Sequence, residues 1–196
     1  MSSKDVILGR VRAALRDAPA PGEVPREYRR TFPGADLDLL VDRLVDYRAS
    51  VRRVAEDTVA PTAAEIAGGT IVVPQGLPPA WRPADVLVDD GLAPDRIAAA
   101  AAVLTAAAVA VAETGTIVLD ASPDQGRRII TLLPDVHIVV LRPGQVVASV
   151  PEALARLDPA RPLTWISGPS ATSDIELNRV EGVHGPRHLH VLLLDG

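Results

Sequence analysis

The spacing of apolar residues in the first fifty positions predicts two helices joined by an irregular segment. Apolar residues recur at helical spacing over residues 4–16, and Ser2 with Asp5 forms a capping-box pattern just before them. A second amphipathic stripe covers residues 37–51 and predicts a second helix. Four prolines in residues 17–34 predict a linker or an extended arm. The pattern leaves open whether this part packs on the rest of the chain or on another subunit.

From residue 51 onward the pattern changes to short apolar runs separated by proline and glycine turns. These runs predict β-strands at residues 70–74, 85–90, 108–112, 116–121, 136–141, 145–149, 163–167 and 189–195. Turns at 113–115 and 142–144 predict that the strands beside them pair as hairpins. Helical patterns occupy residues 62–68, 94–104 and 151–157. Ser173 with Glu176 predicts a further helix that Gly182 would end.

Continuous apolar strands that alternate with helices indicate a sheet covered on both faces. We therefore predict an α/β fold with three layers around a mixed sheet, since the two hairpins require some antiparallel pairing. The domain organisation predicted is an N-terminal helical arm with a proline-rich linker at 1–50 and an α/β domain at 51–196.

Composition excludes several classes of function. The 196 residues carry a net charge of -5 without a basic block, and only 3% are aromatic, so we expect no nucleic-acid partner. The chain has no cysteine, which excludes disulfides, a thiolate-held iron–sulfur cluster and a cysteine nucleophile. Charges within the first residues argue against a signal peptide, and the alanine-rich run at 97–112 is too weakly apolar to span a membrane. We expect a cytoplasmic protein.

Three polar loops follow predicted strands, where α/β proteins tend to bind ligands. They are Ala112–Thr116, Asp124–Arg128, and the segment 167–170 together with 182–190. The small residues of 167–170 offer unpaired backbone N–H groups to an anion. For Ser173 and Glu176 the start of a helix is the better explanation.

Two residues are candidates for acid–base chemistry: Glu113, which follows an apolar strand, and His184, which lies in a loop. One of Arg127 and Arg128 could bind an anion through two hydrogen bonds, while the other would be solvated. We select Arg127 as the anion-binding residue. His188 and His190 have no third ligand at a recognisable spacing, so we expect no metal and no cofactor. The predicted ligand-binding residues are Thr114, Gly115, Gln125, Gly126, Arg127, Ser167, Gly168, Ser170, Asp174, Gly185 and Arg187.

Four segments in order, "AETGTIVL", "QGRRIITLLPDVHIVV", "ISGPSATSDIEL" and "GVHGPRHLHVLLLD", resemble the lactate-utilisation protein C family, the LUD-domain proteins. The resemblance implies a fold similar to the group of ribose-5-phosphate isomerase, glucosamine-phosphate deaminase and CoA-transferase. It also implies a role in oxidising L-lactate to pyruvate beside iron–sulfur partner proteins. The stretch "TAAAVAVAETGT" departs from the Gly-Ala-Asp-like element expected there, so an acid at that position has no counterpart in this chain.

Three hypotheses follow for function. The first is a non-redox subunit or accessory protein of a lactate-oxidising assembly that binds a small anionic ligand. The second is a stand-alone small-metabolite enzyme of isomerase or cyclo-ligase type, with Glu113 or Asp174 as base or nucleophile and His184 as acid. The third is a scaffold whose cleft stays empty. A homo-oligomer is compatible with all three.

Overall fold

Two β-sheets that pack face to face form the body of the protein. The structure is a computed structural model, and it describes residues 2–17, 22–27, 32–173, 179–181 and 185–195. The central sheet has six strands in the spatial order β1-β12-β7-β4-β2-β3, all of them parallel to their neighbours. Its strands are β1 Ser50–Val54, β2 Ile71–Pro74, β3 Val86–Asp89, β4 Ala102–Thr105, β7 Val136–Leu141 and β12 His188–Leu194.

The second sheet is smaller and mixed. Its order is β8-β5-β6-β9, with β5 parallel to β8 and antiparallel to β6, and β6 antiparallel to β9. These strands are β5 Val109–Val111, β6 Thr116–Leu119, β8 Val146–Val147 and β9 Thr164–Ile166. A separate antiparallel pair consists of β10 Ala171–Ser173 and β11 Arg179–Glu181.

Alternate residues of the central strands bury two different faces, as the two-residue period of a strand requires. On one face, Val139 and Leu141 of β7 share a core with Ala110 and Ile117 of the second sheet. The opposite face forms a core with the helix α3 Val59–Ala67 and Trp81; its members include Ile138, Val140 and Leu192. Because both faces are covered, strands such as β2 and β4 are buried at every position, which explains their continuous apolar sequences.

The described residues form four further α-helices. They are α1 Ser3–Ala14, α2 Leu37–Asp46, α4 Pro94–Ala98 and α5 Val150–Arg156. The α5 helix covers the outer face of the second sheet through Ala153, which packs with Val109 and Val118. None of the described helices is long and apolar enough to cross a membrane.

The α2 helix packs against the same chain, whereas α1 does not. Leu40 and Leu44 of α2 are fully buried and belong to the core between the two sheets. Burial of such a leucine stabilises a fold by about 2 kcal/mol. Asp36 caps α2, since its carboxylate accepts hydrogen bonds from the next turn. In contrast, α1 buries no residue, although its capping box of Ser2 and Asp5 is present as predicted.

Several local predictions are confirmed. The 113–115 turn joins an antiparallel pair in which Val111 lies opposite Thr116. Ser149 and Glu152 form the predicted capping box of α5, because the Glu152 carboxylate accepts from the Ser149 amide at 3.1 Å. The strands predicted at 70–74 and 85–90 are β2 and β3 of the central sheet.

Four local predictions are wrong, and three of them concern residues beyond 90. The strands beside 142–144 do not pair: β7 belongs to the central sheet and β8 to the second, and a 3₁₀ turn at 143–145 carries the chain between them. The helix predicted at 94–104 ends at Ala98, because the rest of that alanine-rich stretch becomes the buried strand β4. The helix predicted to start at Ser173 does not start there: Ser173 ends strand β10, Arg179–Glu181 form strand β11, and residues 174–178 lie outside the described residues.

The predicted second helix also ends early, at Asp46, and Val51 lies on the strand β1. Arg48 adopts a positive φ of 67°, which turns the chain from α2 into that strand. The predicted mixed sheet is therefore two sheets. The central one is parallel, and the antiparallel pairing is confined to the smaller one and to the β10–β11 pair.

Candidate functional site

A cleft opens beside the edge of the second sheet, above the face of the central sheet. One wall is strand β9 with the loop that follows it, and the other walls are the 3₁₀ turn Arg128–Thr131 and the start of β12. Its cavity volume is about 150 Å³. The residues that line it are Arg128, Thr131, His137, Thr164, Trp165, Ile166, Ser167, Gly168, Pro169, Ser170, Gly185, Pro186 and Leu189.

Arg128 places a positive charge at the rim of this cleft. One terminal nitrogen, Nη1, donates to the Thr131 hydroxyl at 2.7 Å and to the Thr131 carbonyl at 3.2 Å. Among the described residues, no carboxylate forms an ion pair with Arg128. Partial desolvation lowers the pKa of the guanidinium, which nevertheless stays protonated. The side chain is thus held in place and keeps hydrogen-bond donors for a ligand.

His137 forms part of the cleft floor. It is 2% exposed, and its Nε2 lies 2.9 Å from the Thr105 hydroxyl on the adjacent strand β4. Burial lowers the pKa of His137 to about 3, with a smaller effect from the charge of Arg128. The imidazole is therefore neutral at physiological pH. Within the described part of the chain, its Nδ1 makes no hydrogen bond.

The loop after β9 supplies three predicted ligand-binding residues, and the segment before β12 supplies a fourth; the structure brings them together. Ser167, Gly168, Ser170 and Gly185 all line the cleft. The Ser170 amide donates to the Pro186 carbonyl at 2.8 Å, which ties this loop to the segment before β12. The predicted grouping of the loop 167–170 with the segment around Gly185 thus corresponds to one wall of a real cleft.

Gly168 also has a structural role in that loop. Its φ is +84°, and a Cβ there would lie 2.6 Å from the Tyr47 carbonyl oxygen at the end of α2. Only glycine fits such a close approach in this backbone conformation.

A second cleft of about 230 Å³ adjoins the first and shares Arg128, Thr131 and Thr164 with it. It contains the predicted residues of the second loop, Gln125, Gly126 and Arg127. The Gln125 side chain is buried, and its Oε1 accepts from the Asp120 amide at 2.6 Å. Arg127 is bonded at two points to the buried Asp89 carboxylate. Both polar side chains are therefore occupied within the protein.

The first predicted loop lies outside both clefts. Glu113 is exposed, and its carboxylate accepts from the Val150 amide at 3.2 Å, at the start of α5. A Cβ on Gly115 would lie 2.7 Å from the Cβ of Arg43 in α2. This glycine therefore allows α2 to pack closely against the turn. Thr114 reaches the cleft only indirectly, through a chain of hydroxyls formed with Thr116 and Ser167 at 2.8 Å spacings.

Of the three remaining predicted residues, only Arg187 is described, and it does not line the cleft. Arg187 forms a two-point ion pair with Asp135, with both nitrogen–oxygen distances at 2.6 Å, and thereby links the start of β12 to that of β7. Asp174 and His184 lie outside the described residues. No group of three His, Cys, Asp or Glu within the described ranges could hold a metal ion.

The sequence predictions missed two of the polar residues at the cleft, Thr131 and His137, and selected Arg127 over its neighbour Arg128. A pattern that could have indicated His137 is visible in "VHIVVL", where one titratable side chain interrupts a strand that is otherwise apolar. No comparable pattern separates Arg127 from Arg128, because only the positions of Asp89 and Thr131 in the fold distinguish them.

Comparison with known proteins identifies the family. A model of the LUD domain matches residues 90–194, which include every residue that lines the two clefts. The chain belongs to the LUD domain family. A similar LUD-family relative, lactate utilization protein C of Deinococcus radiodurans, is 47% identical over 162 residues, which cover 78% of this chain and 76% of that protein.

Other relatives align over shorter regions. Lactate utilization protein C of Bacillus pumilus is 39% identical over 43% of this chain and 38% of its own length. The protein of the same name from Bacillus subtilis is 35% identical over 47% of this chain and 42% of its own. The chain therefore aligns with under half of the length of these Bacillus relatives.

A solved structure agrees with the LUD fold. The crystal structure of a DUF162 family protein from Deinococcus radiodurans at 1.70 Å resolution matches with a TM-score of 0.70 and 40% sequence identity. The match covers 81% of this chain and 96% of that one. The mixed α/β architecture with a mostly parallel central sheet is thus shared with an experimental structure.

Proposed function

We propose that this LUD-domain protein is a cytoplasmic, non-redox component of L-lactate utilisation that binds a small anionic ligand in the first cleft. The observation that carries the proposal is Arg128, a cation at the cleft rim that has no carboxylate partner in the described structure. The names of the relatives supply the pathway.

The charge of the cleft favours an anion. Arg128 is its only charged lining residue in the described structure, since His137 is neutral and no aspartate or glutamate contributes to the walls. A guanidinium fits carboxylate oxygens in a two-point arrangement. Ser167, Ser170 and the backbone around Gly168 and Gly185 would complete the contacts of the bound anion.

The redox part of the reaction would lie in partner proteins. Oxidation of lactate to pyruvate removes two electrons, and an iron–sulfur cluster that accepts them is normally held by cysteine thiolates. This chain has no cysteine. We infer that iron–sulfur partner proteins carry the electrons while this protein binds and orients a ligand.

The proposal also includes the domain organisation and the wider fold relationship. Residues 51–196 would form the LUD-type domain and residues 1–50 its N-terminal arm, of which α2 packs against the domain through Leu40 and Leu44. The parallel central sheet covered on both faces supports a relationship to the ribose-5-phosphate isomerase, glucosamine-phosphate deaminase and CoA-transferase group.

A stand-alone enzyme of isomerase or cyclo-ligase type receives less support. Such an enzyme needs an acid and a base in reach of one ligand. Glu113 lines neither cleft and accepts a hydrogen bond at the start of α5, while His137 is too weakly basic to be protonated near neutral pH.

Growth on L-lactate as sole carbon source tests the proposed function. A strain that lacks the gene should fail to grow, and wild-type protein should restore growth. Arg128→Met should not restore it at equal protein level, because the variant loses the charge but keeps most of the side-chain volume. Arg96→Met is the matched control, since Arg96 is exposed on α4 and lies away from both clefts. Normal growth of the deletion strain on L-lactate would refute the role.

A further inference from the structure

The α1 helix carries an apolar face that the described part of the chain does not cover. Ile7, Leu8, Val11 and Leu15 recur at helical spacing and are 37–62% exposed, and α1 buries no residue. We propose that α1 docks on a second copy of this chain, where it packs along the exposed acidic face of α2, so that two chains exchange their arms. This inference goes beyond the proposed function, since it does not depend on the ligand of the cleft.

A helix as short as α1 needs a packing contact to be stable. It has 12 residues, and isolated helices shorter than about 12–15 residues are only marginally stable in water. Its capping box of Ser2 and Asp5 determines where the helix begins but buries no apolar surface. Gly9 near its middle lowers the helix propensity further. The apolar face of α1 is therefore expected to be covered in the assembled protein.

Positive charge borders this apolar face. The helix contains three cations and one carboxylate, namely Lys4, Arg10, Arg12 and Asp5. With about 3.6 residues per turn, Arg10 and Arg12 fall on opposite sides of Val11. Within the described ranges neither arginine has a carboxylate partner. A surface that receives α1 should therefore combine apolar side chains with carboxylates.

The outer face of α2 combines these features. Asp38, Asp42, Val45 and Asp46 lie at positions i, i+4, i+7 and i+8 of that helix, and all four are exposed. They lie on the side away from the core that α2 helps to form. Asp38 pairs with Arg53, whereas Asp42 has no ion pair among the described residues. This face therefore offers an exposed valine beside carboxylates, and its charge is opposite to that of α1.

The connection between the helices favours docking on a second molecule. Residues 15–36 join α1 to α2 and include four prolines, which favour an extended backbone. A connection of this length spans up to roughly 70 Å when it is extended, so α1 can reach a neighbouring chain. If each α1 docks on the α2 of the other chain, the two contacts are equivalent and the assembly closes as a dimer. Direct pairing of two α1 helices would instead bring like charges together.

The mass of the purified full chain in solution tests the dimer. Over the micromolar concentration range, wild type should change from the chain mass of 20.6 kDa to twice that mass. Leu8→Ser/Val11→Ser should stay at the monomer mass. Its urea unfolding midpoint should equal that of monomeric wild type, because α1 buries no residue in its own chain. Val24→Ser is the matched control and should dimerise normally, since Val24 is exposed but lies outside the helix.

Charge reversal tests which two helices meet. The first variant, Arg10→Glu/Arg12→Glu, makes α1 acidic, and the second, Asp42→Lys/Asp46→Lys, makes the α2 face basic. Each variant alone brings like charges together across the contact, so it should dimerise at least about tenfold more weakly than wild type. An equimolar mixture should form a heterodimer as readily as wild type dimerises. In the mixture the two reversed helices meet each other, and so do the two unchanged ones.

The outcomes separate docking on a second copy from other arrangements. A heterodimer that forms only in the mixture would support the proposal, because a contact within one chain gains nothing from mixing. A wild-type chain that stays monomeric throughout the micromolar range would overturn it, as would a dimer that both charge variants retain. Arg128→Met should dimerise like wild type, so failure of the lactate role leaves this result unaffected.

Discussion

Arg127 holds the buried carboxylate of Asp89 in a two-point ion pair, with Arg127 Nε 2.8 Å from Asp89 Oδ2. The Asp89 side chain is 2% exposed and that of Arg127 47% exposed. The arginine also donates to the Leu92 carbonyl at 3.1 Å. Arg127 thus fastens the end of β3 to the loop before the cleft, while the next residue, Arg128, retains donors for a ligand.

Replacement of Arg127 should lower stability rather than ligand binding. Arg127→Ala leaves the buried Asp89 carboxylate with only the amides of Gly91 and Leu92 as donors. We expect the free energy of unfolding to fall, measured by urea denaturation at neutral pH, because a buried carboxylate loses its charged partner. The double variant Arg127→Ala/Asp89→Asn should regain part of this loss, because the buried charge is then gone. A double variant less stable than Arg127→Ala would contradict the assignment.

Substitution of the glycines that contact α2 should destabilise the fold. Gly115→Ala would place a Cβ 2.7 Å from the Arg43 Cβ, and Gly168→Ala one 2.6 Å from the Tyr47 carbonyl, both at positive φ. We expect each variant to lose about 1–3 kcal/mol, measured by chemical denaturation. Gly144→Ala is the control, because no atom lies within 4 Å of its added Cβ. Equal stabilities for all three variants would show that α2 is not held by these contacts.

Burial of His137 should make the protein less stable in mild acid. Its pKa is about 3 in the folded state and 6.5 in the unfolded chain, so the unfolded state binds the extra proton between these values. Stability is therefore complete above pH 6.5 and falls as the pH drops toward 3, by at most about 1.4 kcal/mol per pH unit from this residue. Urea denaturation from pH 7.5 to 4.5 should show a flatter profile for His137→Gln. Parallel profiles would refute the neutral buried imidazole.

Glu113 should behave as a helix cap and not as a catalytic acid. Its exposed carboxylate accepts from the Val150 amide at the start of α5. Glu113→Gln keeps an acceptor there, so we expect a loss of less than about 1 kcal/mol in unfolding free energy and normal growth on L-lactate. Loss of growth with an unchanged protein level would revive the enzyme hypothesis.

Short-range patterns in the sequence correctly predicted the elements that depend on contacts between residues close together in the chain. The pairs Ser2/Asp5 and Ser149/Glu152 act within one helical turn, and both form the predicted capping boxes. The turn at 113–115 pairs the strands beside it, because a short connection brings them side by side as an antiparallel pair. The prediction failed at Ala102–Thr105, where an alanine-rich stretch of helical character became a strand because the central sheet buries it on both faces.

The candidate site was only partly predictable. The polar loop 167–170 was recognisable because small residues directly follow an apolar strand, and the structure makes it a cleft wall. Gly115 was assigned to the ligand for the same reason but contacts α2 instead. A glycine pattern shows that the backbone needs freedom at a position, but it does not show whether a ligand or a helix approaches.

The sequence by itself determined which segments are apolar enough to be buried, where helices begin, that no thiolate is available, and that the chain resembles the LUD-domain proteins. Only the tertiary structure decided that β7 and β8 belong to different sheets. It also decided that Arg127 pairs with Asp89, while Arg128 lines the cleft. The contact of His137 with Thr105 likewise depends on the tertiary structure. The physical reason is distance along the chain. Capping and turn contacts join residues two to four apart, whereas the Arg127–Asp89 and Thr105–His137 contacts span 38 and 32 residues and exist only when the parallel sheet has assembled.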